Sequence, residues 1–240
     1  MIRVCSGWHP AGSRQYGRRF LESFDRFWPK NVELQVWVEQ PEIMPRDACR
    51  DLWSIEGARN CATEYGGDPL YCGRLPLDRW KDKERRAGYS FRFDAAKFWK
   101  QILIPGAAAE GMRDGDVLVW LDGDVETIRP IPPDLIDRQL GRADVCYLGR
   151  PPKHSEIGFW AIRLNDRTRA FLTLMAQTYR TGAVLGLAEW HSAFVWDEAR
   201  KLSGLRERNL CPPGASGHVF PRIEIGHYMR HDKGKRKGTG

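Results

Sequence analysis

The stretch from Asp116 to Val125, DVLVWLDGDV, decides how the rest of this sequence is interpreted. Its apolar part, residues 117–121, follows a turn-forming segment and is a continuous hydrophobic run. Such a run is typical of a central strand that is buried on both faces of a sheet. Asp122 and Asp124 come at its carboxyl end, where ligands lie in open α/β sheets, and Gly123 between them permits a tight turn close to a ligand.

The residues before this stretch predict a β-α-β unit. Residues 1–8 form a strand-like run, and residues 32–38 (VELQVWV) alternate apolar and polar side chains. Between them, aromatic residues at positions 16, 20, 24 and 27 mark one face of a helix, with Ser13 as its N-cap and Pro29 as its end. A β-α-β opening favours a parallel sheet.

The same patterns predict the later elements. They include a short helix near the start of the segment 40–90, which is rich in Pro, Gly and charged residues. The patterns predict helices over 47–53, 91–104, 166–179 and 189–202, and strands over 145–148, 159–164 and 219–225. The helix 91–104 is expected to end at Pro105. The fold class is therefore α/β, a single domain over residues 1–229 with a mixed, mostly parallel sheet flanked by helices. Residues 40–90 are expected to be an elaborated insertion and residues 230–240 a basic tail.

Composition is that of an ordinary globular protein with a basic surplus. The 240 residues carry a net charge of +7, and five cations against one anion lie in residues 230–240. The six cysteines form no C-x-x-C pair, and neither an export signal nor a membrane-length apolar stretch is seen. We therefore expect a reduced, cytoplasmic protein without a membrane anchor, in the host cytoplasm if a phage encodes it.

An aspartate pair at a strand end suits a hard divalent cation. Mg²⁺ or Mn²⁺ is typically bound through one or two carboxylates together with phosphate oxygens. The alternative is a polar turn, and the sequence holds a second copy of the pattern, Asp114-Gly115-Asp116. That copy precedes the strand and is expected at the opposite edge of the sheet.

At this point the sequence resembles the GT-A glycosyltransferases, with a motif order like that of the glycogenin-like enzymes. The resemblance rests on residues 116–125 and on three later segments: SEIGFWAIR (155–163), AEWHS (188–192) and IGHYMRHDKGK (225–235). It implies a GT-A fold and a metal-dependent transfer of a hexose from a nucleotide-diphosphate sugar, with a UDP-sugar favoured, to a hydroxyl. Glu156 and Ile157 depart from the Asn and Ser/Thr that are usual in the second segment, whereas Gly158 matches.

The resemblance also implies the ligands of the cation and of the diphosphate. Asp122 and Asp124 would bind Mn²⁺ or Mg²⁺, and His227 would be the third ligand, with His231 as the alternative one turn later. An imidazole ligand favours Mn²⁺. Lys233 would contact the diphosphate.

Further residues are expected around the donor and the acceptor. Glu189 and His191 are the acid–base candidates, and an ordinary helix N-terminus is the alternative for Glu189. The resemblance implies that Arg92, Asp94 and Lys97, at the start of the helix before strand 117–121, contact sugar and phosphate. It also implies that Trp8 and His9, at the end of the first strand, seat the nucleobase.

The acceptor is open at this stage. Small size and basic charge resemble the phage TET-associated glycosyltransferases that act on 5-hydroxymethylcytosine, so that DNA is the favoured acceptor, with Arg150, Lys153 and the tail along its groove. One alternative is the same chemistry on a surface glycan or lipopolysaccharide core. Another is a non-catalytic nucleic-acid-binding protein of the same fold.

Overall fold

The strands of the described part of the chain form one large sheet and one small one. The computed structural model describes residues 1–43 and 46–231. Its strands are β1 (Ile2–Trp8), β2 (Val32–Val38), β3 (Cys49–Asp51), β4 (Val117–Leu121), β5 (Val125–Thr127), β6 (Val145–Arg150), β7 (Lys153–Arg163), β8 (Glu207–Asn209) and β9 (Met229–His231). Seven of them pair in the order β3-β2-β1-β4-β7-β6-β8, and β5 pairs with β9.

The large sheet is mixed and mostly parallel, as the sequence predicts. Strands β3, β2, β1 and β4 are parallel, β7 is antiparallel to both of its neighbours, and β8 is parallel to β6. The run 117–121 is fully buried as β4, between β1 and β7. The α/β fold class is thereby confirmed.

Helices cover both faces of the large sheet. They are α1 (Pro10–Gly12), α2 (Arg18–Phe27), α3 (Ala58–Gly66), α4 (Asp82–Ala87), α5 (Ala95–Ala108), α6 (Leu135–Leu140), α7 (Asp166–Arg180) and α8 (Ser192–Leu202). One core joins the sheet to α3, α5, α7 and α8 through residues such as Trp99, Phe171 and Trp196. The opposite core joins it to α2, α6 and the C-terminal segment. No helix within the described residues is long and apolar enough to cross a membrane.

The N-terminal helix begins earlier than expected. Its cap is His9, whose Nδ1 accepts a hydrogen bond from the backbone N–H of Gly12, and not Ser13. A π-helical turn, Ser13–Gly17, connects α1 to α2. The backbone of Ser13 is itself helical, and its hydroxyl accepts a hydrogen bond from the indole N–H of Trp8.

Three other local predictions are wrong because tertiary packing outweighs local preference. Residues 91–93 form a 3₁₀ turn, and α5 continues through Pro105 to Ala108, since its last two turns are buried against β1 and α7. Within residues 47–53 the chain forms β3, which hydrogen-bonds to the edge strand β2. Residues 219–225 lie in 3₁₀ turns and not in a strand.

Residues of the segment assigned to an insertion, and the first two residues of the segment assigned to a tail, belong to the folded part of the described chain. Leu52, Tyr65 and Trp80 lie in the same core as α5 and α7. Arg230 and His231 belong to β9, which pairs with β5 directly after the aspartate loop. This pairing brings the C-terminal end of the described chain to the carboxyl end of β4.

Candidate active site

The carboxyl end of β4 carries a cluster of two aspartates and one histidine. His231 Nε2 lies 3.1 Å from Asp124 Oδ1 and 3.8 Å from Asp122 Oδ2. The other carboxylate oxygen of Asp122 accepts hydrogen bonds from the indole of Trp120 at 3.0 Å and the amide of Gln101 at 3.1 Å. One oxygen of Asp122 is thereby anchored while the other faces Asp124 and His231.

The electrostatics of this cluster favour a cation. Burial, and then the neighbouring charge of Asp124, raise the pKa of Asp122 to about 6. Burial would lower the pKa of His231, but the hydrogen bond to Asp124 and the charges of Asp122, Asp124 and Glu156 outweigh it and raise that pKa. Ionised carboxylates held this close are unfavourable unless a positive charge lies among them.

The donor set and the surrounding backbone fit a divalent metal ion. Two carboxylates and one imidazole are ligands that Mn²⁺ accepts, and their ligand atoms lie within 4.8 Å of one another. The space for the imidazole depends on Gly158 in β7, because a Cβ there would lie 2.6 Å from the ring of His231. Gly123 is required for the same kind of reason, since its Cβ would lie 2.6 Å from the ring of Trp8.

The histidine of this cluster is His231, the alternative in the sequence, and His227 does not reach it. His227 ends the 3₁₀ turn Glu224–His227 and is exposed. Pairing of β9 with β5 sets Val125 opposite His231, so the register of the small sheet selects the later histidine. Lys233, expected at the diphosphate, lies outside the described residues. Asp114 and Asp116 of the second D-G-D copy form ion pairs with Arg169 and the N-terminus.

The cleft beside the cluster has a first compartment of about 470 Å³. Among the side chains along it are His9, Gln15, Tyr16, Lys97, Lys100 and the aspartate–histidine cluster. Trp8 is only 2% exposed and packs edge-on against Tyr16 and Phe20, so it supports the floor and offers no free face for a base. Tyr16 is the more accessible ring. Burial and the charges of Asp124 and Asp122 raise its pKa, which keeps its O–H a donor.

Arg92 and Asp94 lie away from this first compartment. The carboxylate of Asp94 is buried, caps α5 at the N–H of Lys97 and accepts a hydrogen bond from the Tyr89 hydroxyl. Its role is therefore structural, contrary to the expected contact with sugar or phosphate. Arg92 forms ion pairs with Glu84 and Glu189 at 3.0 Å each and borders a second compartment.

A second compartment, of about 640 Å³, adjoins the first. Both are bordered by Phe98, Gln101, Asp122 and Glu156. On its wall a single oxygen of Glu189 faces two imidazoles, His191 Nε2 at 2.9 Å and His154 Nε2 at 3.2 Å. The structure thus brings together the two acid–base candidates of the sequence and adds a third group to them.

These three groups are not equivalent as proton acceptors. Burial would raise the pKa of Glu189, but hydrogen bonds from His154, His191 and Arg92 hold it well below its ordinary value. His191 is 4% exposed, and burial lowers its pKa. The side chain of His154 is 37% exposed on the compartment side. His154 is therefore the most accessible of the three from the second compartment, where its ring is held by the contact with Glu189.

Sequence reasoning missed several of these residues. Gln101 donates to Asp122 and accepts a hydrogen bond from the Ser192 hydroxyl, and so connects the cation site to the start of α8. His154, Glu156 and Gly158 follow one another on β7 at intervals of two residues. The signal available in the sequence was Glu156 itself. It replaces the Asn that is usual at this place in the resembling enzymes and so indicates that its surroundings differ from theirs.

Comparison with solved structures identifies the fold. The chain matches a glycosyltransferase involved in glycosylation of the major capsid of PBCV-1 over 98% of this chain and 94% of that one, with 11% identity and a TM-score of 0.51. The chain has a GT-A glycosyltransferase fold. Looser matches are to mouse xyloside xylosyltransferase 1 (9% identity, 88% and 85% of the two chains, TM-score 0.47) and to GlyE of Streptococcus pneumoniae TIGR4 (10%, 86% and 44%, TM-score 0.40). No protein-family model and no curated protein matches the sequence.

Asp122→Asn should stabilise the metal-free protein at alkaline pH. The folded pKa of about 6 lies above the unfolded value near 4, so the wild type loses stability as pH rises through this interval. Asn keeps the acceptor for Trp120 and Gln101 and removes the charge. In urea unfolding with chelator, we expect a gain of up to about 3 kcal/mol at pH 8 that shrinks towards pH 4.5. Equal stability of both proteins across this range would contradict the charge crowding.

His231→Gln should weaken Mn²⁺ binding, whereas His227→Gln should not. His231 lies among the aspartates and His227 is exposed on a turn. Loss of one of three protein ligands should weaken binding by about tenfold or more, measured by calorimetric titration of Mn²⁺ without donor. If the His227 variant alone loses affinity, the cation site uses a different arrangement of the C-terminal segment.

Proposed function

We propose that this protein is a metal-dependent glycosyltransferase that moves a hexose from a nucleotide-diphosphate sugar, with UDP favoured, to a hydroxyl acceptor. The carrying observation is the convergence of Asp122, Asp124 and His231 in the first compartment, beside a second compartment that Asp122 also borders. Ligands lie at this edge of open α/β sheets. The proposal rests on this site and not on the fold, since one fold hosts many activities.

The donor is proposed to lie in the first compartment. Mn²⁺ or Mg²⁺ held by Asp122, Asp124 and His231 would supply the Lewis acid that neutralises the diphosphate leaving group. Lys97 brings positive charge to the same compartment, and Lys100 lies there in an ion pair with Glu39. Tyr16 lines the same compartment, and its raised pKa keeps its O–H protonated.

The acceptor is proposed to enter the second compartment. The bond from the sugar C1 to the diphosphate oxygen breaks, and a bond from C1 to the acceptor oxygen forms. If the configuration inverts, His154 takes the acceptor proton while Glu189 holds and orients its ring, and His191 supports Glu189 from behind. If the configuration is retained, the ionised Glu189 would instead stabilise positive charge at the sugar.

DNA carrying 5-hydroxymethylcytosine remains the acceptor that we favour. Lys81, Lys83 and Lys153 are exposed at the second compartment, and Phe91 at the same place is 47% exposed. Lysines suit phosphates, and an exposed aromatic ring suits a base that has been flipped out of the duplex. Arg150, which the sequence assigned to this groove, is instead paired with Glu156 at 3.3 Å. An acidic surface glycan is the alternative acceptor.

Transfer should require metal and the aspartate pair. We would incubate the protein with a panel of UDP-sugars and hydroxymethylated duplex DNA, digest to nucleosides, and detect a hexose mass gain. Excess chelator should abolish product, and so should Asp124→Asn. In the same assay Glu189→Gln should lower kcat by about a hundredfold or more with little change in donor affinity, because Glu189 acts on the transition state. Product formed at full rate in chelator would exclude the proposed chemistry.

DNA binding should depend on salt through the lysines at the second compartment. Replacing Lys83 and Lys153 by Ala should flatten the slope of log affinity against log salt by about two contacts, each worth close to 0.9. The matched control replaces Lys30 and Lys201, which are exposed and border neither compartment. Fluorescence anisotropy at several salt concentrations measures both. Absence of binding at low salt, together with transfer to a free oligosaccharide, would decide for the glycan acceptor.

A further inference from the structure

The imidazole of His231 is held between carboxylates on both of its nitrogen edges. Nε2 faces Asp124 at 3.1 Å, and Nδ1 lies 3.6 Å from Glu156 Oε1. Among the described residues Nδ1 has no hydrogen-bond partner. Glu156 supplies the carboxylate that faces it. His231 and Glu156 are both buried, at 6% and 5% exposure. The ring therefore has little freedom to face elsewhere.

The two edges of an imidazole diverge, and this separates the roles of the carboxylates. A cation bound at Nε2 together with Asp122 and Asp124 cannot also be bound by a group on the Nδ1 edge. A histidine that ligates a metal usually donates its other ring N–H to a carboxylate or carbonyl, which fixes the tautomer and the ring orientation. Glu156 stands where such a carboxylate belongs.

Arg150 holds Glu156 in place. Arg150 Nη1 lies 3.3 Å from Glu156 Oε2, and its guanidinium also donates to the backbone carbonyls of His154 at 3.1 Å and Gly217 at 2.7 Å. One oxygen of Glu156 is thus engaged by Arg150, and the other faces His231. The positive charge of Arg150 also makes a buried carboxylate at this position tolerable.

Strand β7 supplies both the carboxylate and the space for the ring. Glu156 and Gly158 are two residues apart on this strand, and both positions lie against the ring of His231. A side chain at 158 would collide with the ring of His231, as its Cβ would lie 2.6 Å away. The same three-residue stretch therefore admits the ring and presents a carboxylate to it.

We propose that Glu156 is a positioning residue that fixes His231 in the tautomer whose Nε2 binds the divalent cation. This inference rests on the cation site of the proposed function and adds a residue behind it. It also gives a physical role to Glu156, which departs from the residue usual at this place in the resembling enzymes.

A rival arrangement uses the other edge of the ring. Glu156, His218 and His231 also have ligand atoms within 4.8 Å of one another, and a cation bound by them would engage Nδ1. The two arrangements make opposite predictions for Asp124 and His218. An ion at Nε2 needs Asp124 and tolerates loss of His218, and an ion at Nδ1 does the reverse.

Titration of Mn²⁺ into the full chain without donor tests the proposal. Glu156→Gln, which preserves size, should weaken Mn²⁺ affinity by about 10- to 100-fold, because the amide is a poorer acceptor for the ring N–H. The unfolding midpoint of each variant in chelator is measured alongside, so that a change in stability from leaving Arg150 without its carboxylate is separated from the change in affinity. Glu207→Gln is the matched control, as Glu207 also pairs with an arginine, Arg200, but lies outside both compartments. His218→Gln should bind Mn²⁺ like wild type.

Comparison of two metals separates positioning from a general loosening of the site. Mn²⁺ gains more from an imidazole ligand than Mg²⁺ does, so Glu156→Gln should reduce Mn²⁺ affinity by a larger factor than Mg²⁺ affinity. Equal losses for both metals, or no loss for Mn²⁺, would overturn the role of Glu156.

The outcomes also distinguish this inference from the function on which it rests. If wild type binds no Mn²⁺, or Asp124→Asn binds it equally well, the cation site itself is wrong. If Asp124→Asn loses binding but Glu156→Gln does not, only the positioning role fails. If His218→Gln loses binding and Asp124→Asn keeps it, the ion lies on the Nδ1 edge and the proposal is refuted.

Discussion

The pairing of β9 with β5 is the interaction on which the site depends. The aspartate loop is anchored to β7 by the hydrogen bond from the N–H of Asp122 to the carbonyl of Gly158, but two aspartates alone offer few ligands. Backbone pairing between Val125 and His231 adds an imidazole from a position more than a hundred residues later. This register also determines which of two nearby histidines is used, because it sets His231 opposite Val125, whereas His227 lies in the turn before β9.

Around that contact several carboxylates lie close together, which is electrostatically unfavourable. Three carboxylates, those of Asp122, Asp124 and Glu156, lie around one buried imidazole. Burial and the repulsion between these charges raise the pKa of Asp122. The second compartment is arranged differently. There Glu189 is surrounded by donors from His154, His191 and Arg92, which keep its pKa low. One cluster thus attracts positive charge, and the other holds a negative charge in place next to a histidine that is partly exposed.

The two compartments are coupled through shared residues. Gln101 lies between them, donating to Asp122 and accepting from Ser192 at the start of α8. Glu156 borders both compartments and faces His231 on one side and Arg150 on the other. This geometry suits a reaction in which donor and acceptor must meet at one carbon.

The sequence by itself determined the α/β class, the buried strand 117–121 and the aspartate pair at its end, because hydrophobic periodicity and strand polarity are local properties. It also indicated Glu189 and His191 from a short motif. Only the tertiary structure showed that His231, and not His227, lies beside the aspartates. It also showed that the carboxylate of Asp94 and the ring face of Trp8 are buried, and that His154 and Glu156 border the second compartment. Each of these depends on strand register or on burial by residues distant in the chain. Such long-range packing leaves no periodic trace in a single sequence, and it also carried α5 through Pro105 against its local signal.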